Sequence, residues 1–444
     1  MSQTLDFELR FRYGQPNRYL VSARLSPADG TPALLADTEV AIDETVLLSL
    51  ASDARAYGRA LTEMVFQSPL QSAWQRALGY HNAAAVPLHL RLSCDAATEN
   101  LQALRWETLA DPRDPSRFLA LSTGIWLSRT LDATEPSPPP GPPSPALVAL
   151  VAAPHDAARF NIAPINAAGY VDAIKAFCAR RPHTLLVRDL GSSPPTRENL
   201  LRALRVCPGY VYLVARSVSA NGELHLWLED DTGLGHRLPG SEFVRQIADL
   251  PQRPELIMLM VCRGAGLSHS DGWLNTLGAR LVQAGVPAVL AMQGDLSLSA
   301  ANQLGRALFH ELDQQRPIEQ AVAIAREAIA ETDEWWLPVL FTRSGQRVPL
   351  SSATAQLESG RGETRGIYGL DYERGLRDLK GRLSTESMVE YLTLEARLRE
   401  NLRRERLFGS TEAIRSERAE IILALNEFAL RSCNISFNTF ASSS

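Results

Sequence analysis

Leu256-Ile257-Met258-Leu259-Met260-Val261 is an uninterrupted apolar run that stops at Cys262-Arg263-Gly264-Ala265-Gly266. A short apolar run closed by a turn reads as a strand buried on both faces. A second run, Tyr210-Val211-Tyr212-Leu213-Val214, stops at Ala215-Arg216-Ser217. Ala146 to Ala153 and Val286 to Ala291 are two more, and Thr184 to Arg188 is a short fifth. Helical stretches alternate with them: Ile165 to Ala179, a helix opened by Thr196 as its N-cap, Ser241 to Ala248, and Trp273 to Ala284. Ala300 to Asp313 and Ile318 to Glu331 follow in the same pattern. Aliphatic strands alternating with helices predict an α/β fold, a parallel sheet covered by helices on both faces. Sites in such sheets lie at the carboxyl ends of the strands. Cys262, Arg216 and His155 all lie just past strand ends, so one sheet edge gathers them.

Working outward, Glu135 to Pro145 is a polyproline-like seam, which makes residues 134–145 a linker. Before it, residues 1–133 read as a mixed α and β part. Leu5 to Arg12, Tyr19 to Leu25 and Leu88 to Leu92 alternate as half-buried strands, and Ser52 to Leu78 is helical with a break at Pro69. The α/β domain itself spans 146–350. A polar, Gly/Arg-rich stretch at 351–383 reads as a second linker. A helical hairpin over 384–440 carries Tyr391, Leu394, Leu398 and Leu402 on one helix and Ile414, Ile421, Leu425 and Phe428 on the next. Gly409 stops the first helix and Ser410 caps the second.

The 444 residues suggest roughly two to four domains of about 150 residues each. Hydrophobic residues at 45% and charged residues at 21% fit soluble globular material. No stretch approaches the roughly 18 apolar residues of a membrane span. Asp6, Glu8, Arg10 and Arg12 interrupt any apolar leader. A net charge of −5 with no long run of one sign argues against a nucleic-acid partner. The five cysteines are scattered, with no CxxC and no Cys/His cluster, so neither a structural zinc nor a disulfide framework is expected. A reducing cytoplasm fits them. Cys94, Cys178, Cys207 and Cys433 read as small buried hydrophobes. No cofactor is expected.

Several segments together resemble the CHAT family of caspase-like cysteine peptidases. Leu104-Arg105-Trp106-Glu107-Thr108-Leu109, then Phe118-Leu119-Ala120-Leu121-Ser122, is similar to that family's "LPWELL … FLALS" signature. Gly222 to Asp230 resembles its "GxLxLED" hairpin, and Leu256 to Ala265 its "LVVLNACRSA" strand. Leu281 to Val289 with Met292 is similar to "L..AGVPAVVAMQ", and Ile318 to Ala330 with Trp336-Leu337-Pro338-Val339-Leu340 completes the series. The resemblance implies a caspase-like fold with Cys262 at the nucleophile position. Aligned on Gly222, the family's "HFSGHG" motif falls on Tyr212 to Ser217, which sets Arg216 at the histidine position.

That exchange matters chemically. A cysteine peptidase needs a base to form thiolate and an acid for the leaving amine, and histidine serves as both. Arginine stays protonated, with a pKa above about 12. It favours a thiolate nearby but donates no proton to an amine. Two readings stay open from sequence. In one, the chain is a degenerate peptidase acting as a binding or regulatory subunit, in the bacterial defence or programmed-death setting the resemblance implies. In the other, it is an active cysteine endopeptidase with a relocated base, His155 foremost and His269 next, switched on by a partner, with Gly264 near the oxyanion site. His225 reads as a strand residue. Gly264 and Gly266 lack the rest of a phosphate loop, and Glu229, Asp230 and Asp231 read as a solvated turn. Trp335 and Trp336 read as core or interface, and Trp106 as the anchor of the N-terminal part on the caspase-like sheet. Arg397, Arg403 and Arg404 on the helical hairpin are candidate contacts for a protein partner, a second copy included.

Overall fold

The computed structural model describes residues 4–27, 31–94, 96–131, 146–160, 162–178, 182–191, 193–206, 209–220, 223–263, 272–343, 372–383, 387–408, 412–433 and 437. The chain divides into two compact units, Met1–Ala353 and Thr354–Ser444.

The first unit opens with β1 (Leu5–Gln15), β2 (Arg18–Ser26) and β3 (Ala33–Ala41), an antiparallel meander. Helices α1 (Glu44–Ser49), α2 (Ala54–Val65) and α3 (Leu70–Ala84) follow. Asp43 and Asp53 cap the first two, each accepting from two backbone N–H groups of the opening turn. Pro69 separates α2 from α3, where the break was expected. β4 (Leu88–Cys94) then lies parallel to β1, and β5 (Ala110–Asp111) and β6 (Asp114–Phe118) form a small hairpin before β7 (Ile125–Leu131). Phe7, Leu9 and Phe11 of β1 pack with Leu61 of α2 and Trp74 of α3 in one core. Strand β3 was not expected. It buries only Ala36 and Val40, so no apolar alternation marks it.

Next come β8 (Leu147–Val151), α4 (Ala167–Phe177), β9 (His183–Leu186), α5 (Arg197–Val206) and β10 (Tyr210–Ala220). Then follow β11 (Glu223–Glu229), β12 (Gly235–Pro239), α6 (Gly240–Ala248), β13 (Leu256–Arg263) and α7 (Gly272–Gln283). β14 (Ala288–Met292), α8 (Leu298–Asp313), α9 (Ile318–Glu327) and β15 (Pro338–Arg343) complete the unit. Strands β9, β8, β10, β13 and β14 are mutually parallel, as the apolar runs predict. The central ones are buried on both faces and split their residues between two cores. Tyr212, Val214, Met258 and Met260 face α4, α8 and α9, whereas Val211, Leu213, Ile257 and Leu259 face α5, α6 and α7.

The fold is α/β, but the whole sheet is mixed. Its 13 strands run β12-β11-β10-β13-β14-β15-β7-β4-β1-β2-β3, with β8 and β9 branching from β10. β15 is antiparallel to β14, and β7, β4 and β1 continue parallel to β15. The N-terminal strands therefore extend the same sheet. The junction of β15 with β7 has only three register pairs, Phe341 to Arg343 against Arg129 to Leu131.

Buried polar groups reinforce that junction. Arg129 and Glu107, each no more than 1% exposed, form an ion pair. Gln293, just past β14, donates to Glu107 Oε2 at 2.8 Å and to the Trp336 carbonyl at 2.9 Å. Arg326 of α9 donates to the Pro338 carbonyl of β15 and the Leu127 carbonyl of β7. Burial pushes its guanidinium down to about 10. In addition His89 Nε2 lies 2.8 Å from Ser128 Oγ, which lies 3.3 Å from Thr342 Oγ1. The expected anchor, Trp106, instead sits wholly inside the N-terminal core, its ring on Phe11 and its Nε1 donating to the Leu101 carbonyl. Its neighbour Glu107 makes the link.

The second unit contains α10 (Tyr372–Lys380), α11 (Met388–Phe408) and α12 (Glu412–Cys433). Tyr391, Leu394 and Leu398 meet Ile421, Leu425 and Phe428, the two stripes read from sequence. A correction applies to the linker at 351–383. Residues 372–380 form a helix, and Tyr372, Leu376 and Leu379 put its apolar face in the same core. Arg418 Nε donates to Asn401 Oδ1 at 2.9 Å, a buried polar contact between α11 and α12. The Pro-rich seam, residues 351–371, Gly409, Ser410 and Cys207 lie outside the described residues. Among the described residues no helix is long and apolar enough to cross a membrane.

Candidate functional site at the carboxyl ends of β10 and β13

β10 and β13 pair in parallel register from Tyr210↔Leu256 to Ser217↔Arg263. Arg216 and Cys262 are therefore backbone partners, on strands spaced about 4.8 Å apart. β14 pairs with β13 only as far as Leu259, which leaves the end of β13 without that neighbour. On its other side β10 changes partner. It pairs with β8 from Tyr210 to Val214 and with β11 from Arg216 onward. The chain leaving β8 fills the fork between β8 and β11. Such a divergence at the carboxyl ends is where open α/β sheets form crevices.

Local hydrogen bonds fix this exit loop. Ala152 N–H donates to the Val214 carbonyl at 2.9 Å, and Ala153 N–H to Glu229 Oε1 at 2.9 Å. The other oxygen of the buried Glu229 accepts from Arg188 Nε at 2.6 Å. Glu229 is thus a tie between strand and loop, a role its place in an acidic triplet did not suggest. Asp230 does make a turn. Its carboxylate accepts from Thr232 Oγ1 and from the Thr232 and Leu234 N–H groups, and the Thr232 hydrogen bond in particular holds it below the usual carboxylate range.

Arg216 is part-buried, and its guanidinium reaches back to the loop. Nε donates to the Ala163 carbonyl at 3.0 Å and Nη2 to the Pro164 carbonyl at 3.3 Å. Beside it lies a cavity of about 60 Å³, lined by Ala152, Ala157, Ile162, Ile165, Trp227 and Arg216 among others. The Trp227 ring is buried against Phe160 at 4.9 Å, with the Arg237 guanidinium over it at 5.0 Å. Gly235 passes so close to Trp227 that a Cβ there would overlap the indole.

His155 is exposed. Its N–H donates to the Gly233 carbonyl at 3.0 Å, and its ring packs beside Gly233, where a Cβ would come within 3.1 Å of it. Gly233 belongs to the turn between β11 and β12, and β10 stands between that turn and β13. His225 is part-buried in β11 with Nδ1 3.2 Å from the Glu223 carbonyl. The Cys262 side chain, Gly264, Gly266 and His269 lie outside the described residues, as do the side chains of Arg403 and Arg404. Arg397 is exposed on α11. The structure thus brings Arg216 beside Cys262 in the backbone, inside β10 and β13 rather than just past their ends as expected, and puts His155 at the β11–β12 turn. Sequence reasoning missed the loop carbonyls, Glu229 and Trp227. The alternation of Leu224, Leu226 and Leu228 with their neighbours, together with the resemblance of Gly222 to Asp230 to a family hairpin, marked the hairpin that carries Trp227.

The CHAT domain family matches residues 55–356, which is most of the first unit. No curated protein matches the sequence. Among solved structures, the separase–securin complex of Saccharomyces cerevisiae is similar, with a TM-score of 0.33 and 13% identity over 63% of this chain. The match spans 18% of that chain.

Proposed function

This chain belongs to the CHAT-domain family, and from that premise we propose that it is a degenerate peptidase working as a binding or regulatory subunit. The observation that carries the reading is Arg216. It is the register partner of Cys262 inside the parallel β10–β13 pair, and its guanidinium donates to the Ala163 and Pro164 carbonyls. A guanidinium takes no proton from a thiol and gives none to a leaving amine. Loss of one member of a catalytic pair costs on the order of 10⁴–10⁶ in rate. On this reading the exit loop, the cavity and the Trp227 hairpin form a recognition cleft. The second unit, with Arg397, Arg403 and Arg404 along α11, serves for docking a protein partner in the cytoplasm. Bacterial defence or programmed death is the setting that the family suggests.

The test is turnover of a diverse peptide library by the full chain, with Cys262→Ala as control. No cleavage above that control is expected. Cleavage that disappears in Cys262→Ala overturns the reading.

A further inference from the structure

The strand register lines up Arg237 of β12, Trp227 of β11, Arg216 of β10 and Cys262 of β13 in one row across neighbouring strands. Directly opposed residues share a face, so Arg237, Trp227 and Arg216 lie on one face of the sheet. Three strand spacings put the Arg237 backbone about 14 Å along the row from that of Cys262. Trp227 is sealed, at 1% exposure, beneath a Phe160 ring that is itself 47% exposed. The exposed Arg237 guanidinium sits over both rings, 5.0 Å from the Trp227 centroid and 6.0 Å from that of Phe160. Ring contact restrains the side chain but engages no N–H donor. Among the described residues Arg237 has neither a hydrogen bond nor a carboxylate partner. Arg188, by contrast, donates to Glu229 and to the Asp230 carbonyl. The carboxylates of the adjoining segments are also engaged. Asp156 Oδ1 accepts from Gly235 N–H at 2.8 Å, Glu229 from Ala153 N–H and Arg188, and Asp230 from its own turn. Arg237 is therefore a restrained cation with its donors open to solvent.

We propose that Arg237 and Phe160 form a docking point for an acidic side chain of a partner polypeptide, with an apolar neighbour of that acid covering the Phe160 ring. The proposal rests on reading this face as a binding surface. A planar guanidinium held on an aromatic platform meets a carboxylate through two parallel N–H bonds and has little freedom left to lose. The exposed ring beside it adds apolar contact that a bare phosphate does not use. A net charge of −5 disfavours a nucleic acid as the occupant. Docking is by side chains. β12 is an edge strand, but the Gly235 N–H is taken by Asp156 and Pro239 has none, so its edge lacks the row of donors that an added strand needs.

The full chain is screened against an arrayed library of capped random hexapeptides. The bound set is expected to be enriched in Asp or Glu next to an apolar residue. The best acidic peptide and its amide counterpart, Asp→Asn or Glu→Gln, are then titrated by fluorescence anisotropy, and the amide is expected to bind at least tenfold more weakly. Arg237→Gln is expected to bring the acid down to the affinity of the amide. Arg237→Lys, which keeps the charge but not the planar fork, should retain part of the preference. Phe160→Ala should weaken acid and amide alike. Because Arg237 and Phe160 are exposed, unchanged thermal midpoints are expected in all three variants. No bound peptide, no acidic enrichment, or an acid preference that persists in folded Arg237→Gln overturns the proposal. So does displacement of the peptide by millimolar inorganic phosphate but not by acetate, which would mark a phosphate site. Cys262-dependent cleavage alongside an Arg237-dependent acid preference would remove the degenerate-peptidase reading and leave this one standing. Absence of both cleavage and acid preference would do the reverse.

Discussion

Arg216 at the fork of the sheet and Arg129 at the junction of β15 with β7 both anchor a seam by hydrogen-bonding to backbone carbonyls. Arg129 donates to the Gln102 and Leu104 carbonyls, as Arg216 does to those of Ala163 and Pro164. They differ in what surrounds the charge. Arg129 is sealed from water and faces the equally buried Glu107, whereas Arg216 is part-buried at the rim of a cavity. A sealed cation demands a carboxylate partner, because desolvation otherwise exceeds anything carbonyls return. A rim cation keeps part of its hydration. The first arrangement holds a charge by its counter-charge, and the second ties a part-buried charge to a loop through carbonyls.

The contrast breaks most visibly at Glu107. Glu107→Gln leaves Arg129 buried without a counter-charge, and the expected loss is about 3–5 kcal/mol, read by urea unfolding. Gln293 loses its ionic acceptor at the same time, so the two halves of the sheet are expected to loosen together. Pairing Glu107→Leu with Arg129→Met should recover much of that loss, since removing both charges also removes the desolvation cost. A loss below about 1 kcal/mol for Glu107→Gln would mean that water reaches the pair.

Glu229 lies between the two extremes. Its carboxylate is 2% exposed, and its partner Arg188 is 20% exposed. Glu229→Gln keeps an acceptor for Ala153 N–H but loses the charge facing Arg188. A loss of about 1.5–3 kcal/mol is expected, and faster amide exchange at Ala153 should report loosening of the exit loop.

These regions were unequally legible in the sequence. The runs ending at Val214 and Val261 marked a parallel sheet because strands buried on both faces must be apolar throughout, and the backbone pairing of Arg216 with Cys262 follows from where those runs stop. The edge strand β3 and the helix α10 were not legible. One buries two of its nine residues, and the other sets Tyr372, Leu376 and Leu379 in a stretch dominated by charge. Trp106 drew attention by its size, yet the link between the two halves is Glu107, whose role depends on Arg129 and Gln293 arriving from distant parts of the chain. The clamp on Arg216 has no sequence signature at all, because its acceptors are backbone carbonyls.

The smallest expected effect is at Arg216 itself, and it separates clamp from charge. Arg216→Gln forfeits two hydrogen bonds to carbonyls that water can then reach, so the loss should be about 0.5–1.5 kcal/mol. Arg216→Lys keeps the charge but gives up the planar fork that spans two successive carbonyls. If Arg216 acts on stability chiefly as a clamp, Lys and Gln should cost the same in urea unfolding. Full stability in Arg216→Lys with a loss only in Arg216→Gln would assign the stabilisation to charge instead. The rim arginine would then resemble Arg129, and the distinction between a cation held by its charge and one held by its hydrogen bonds would fail.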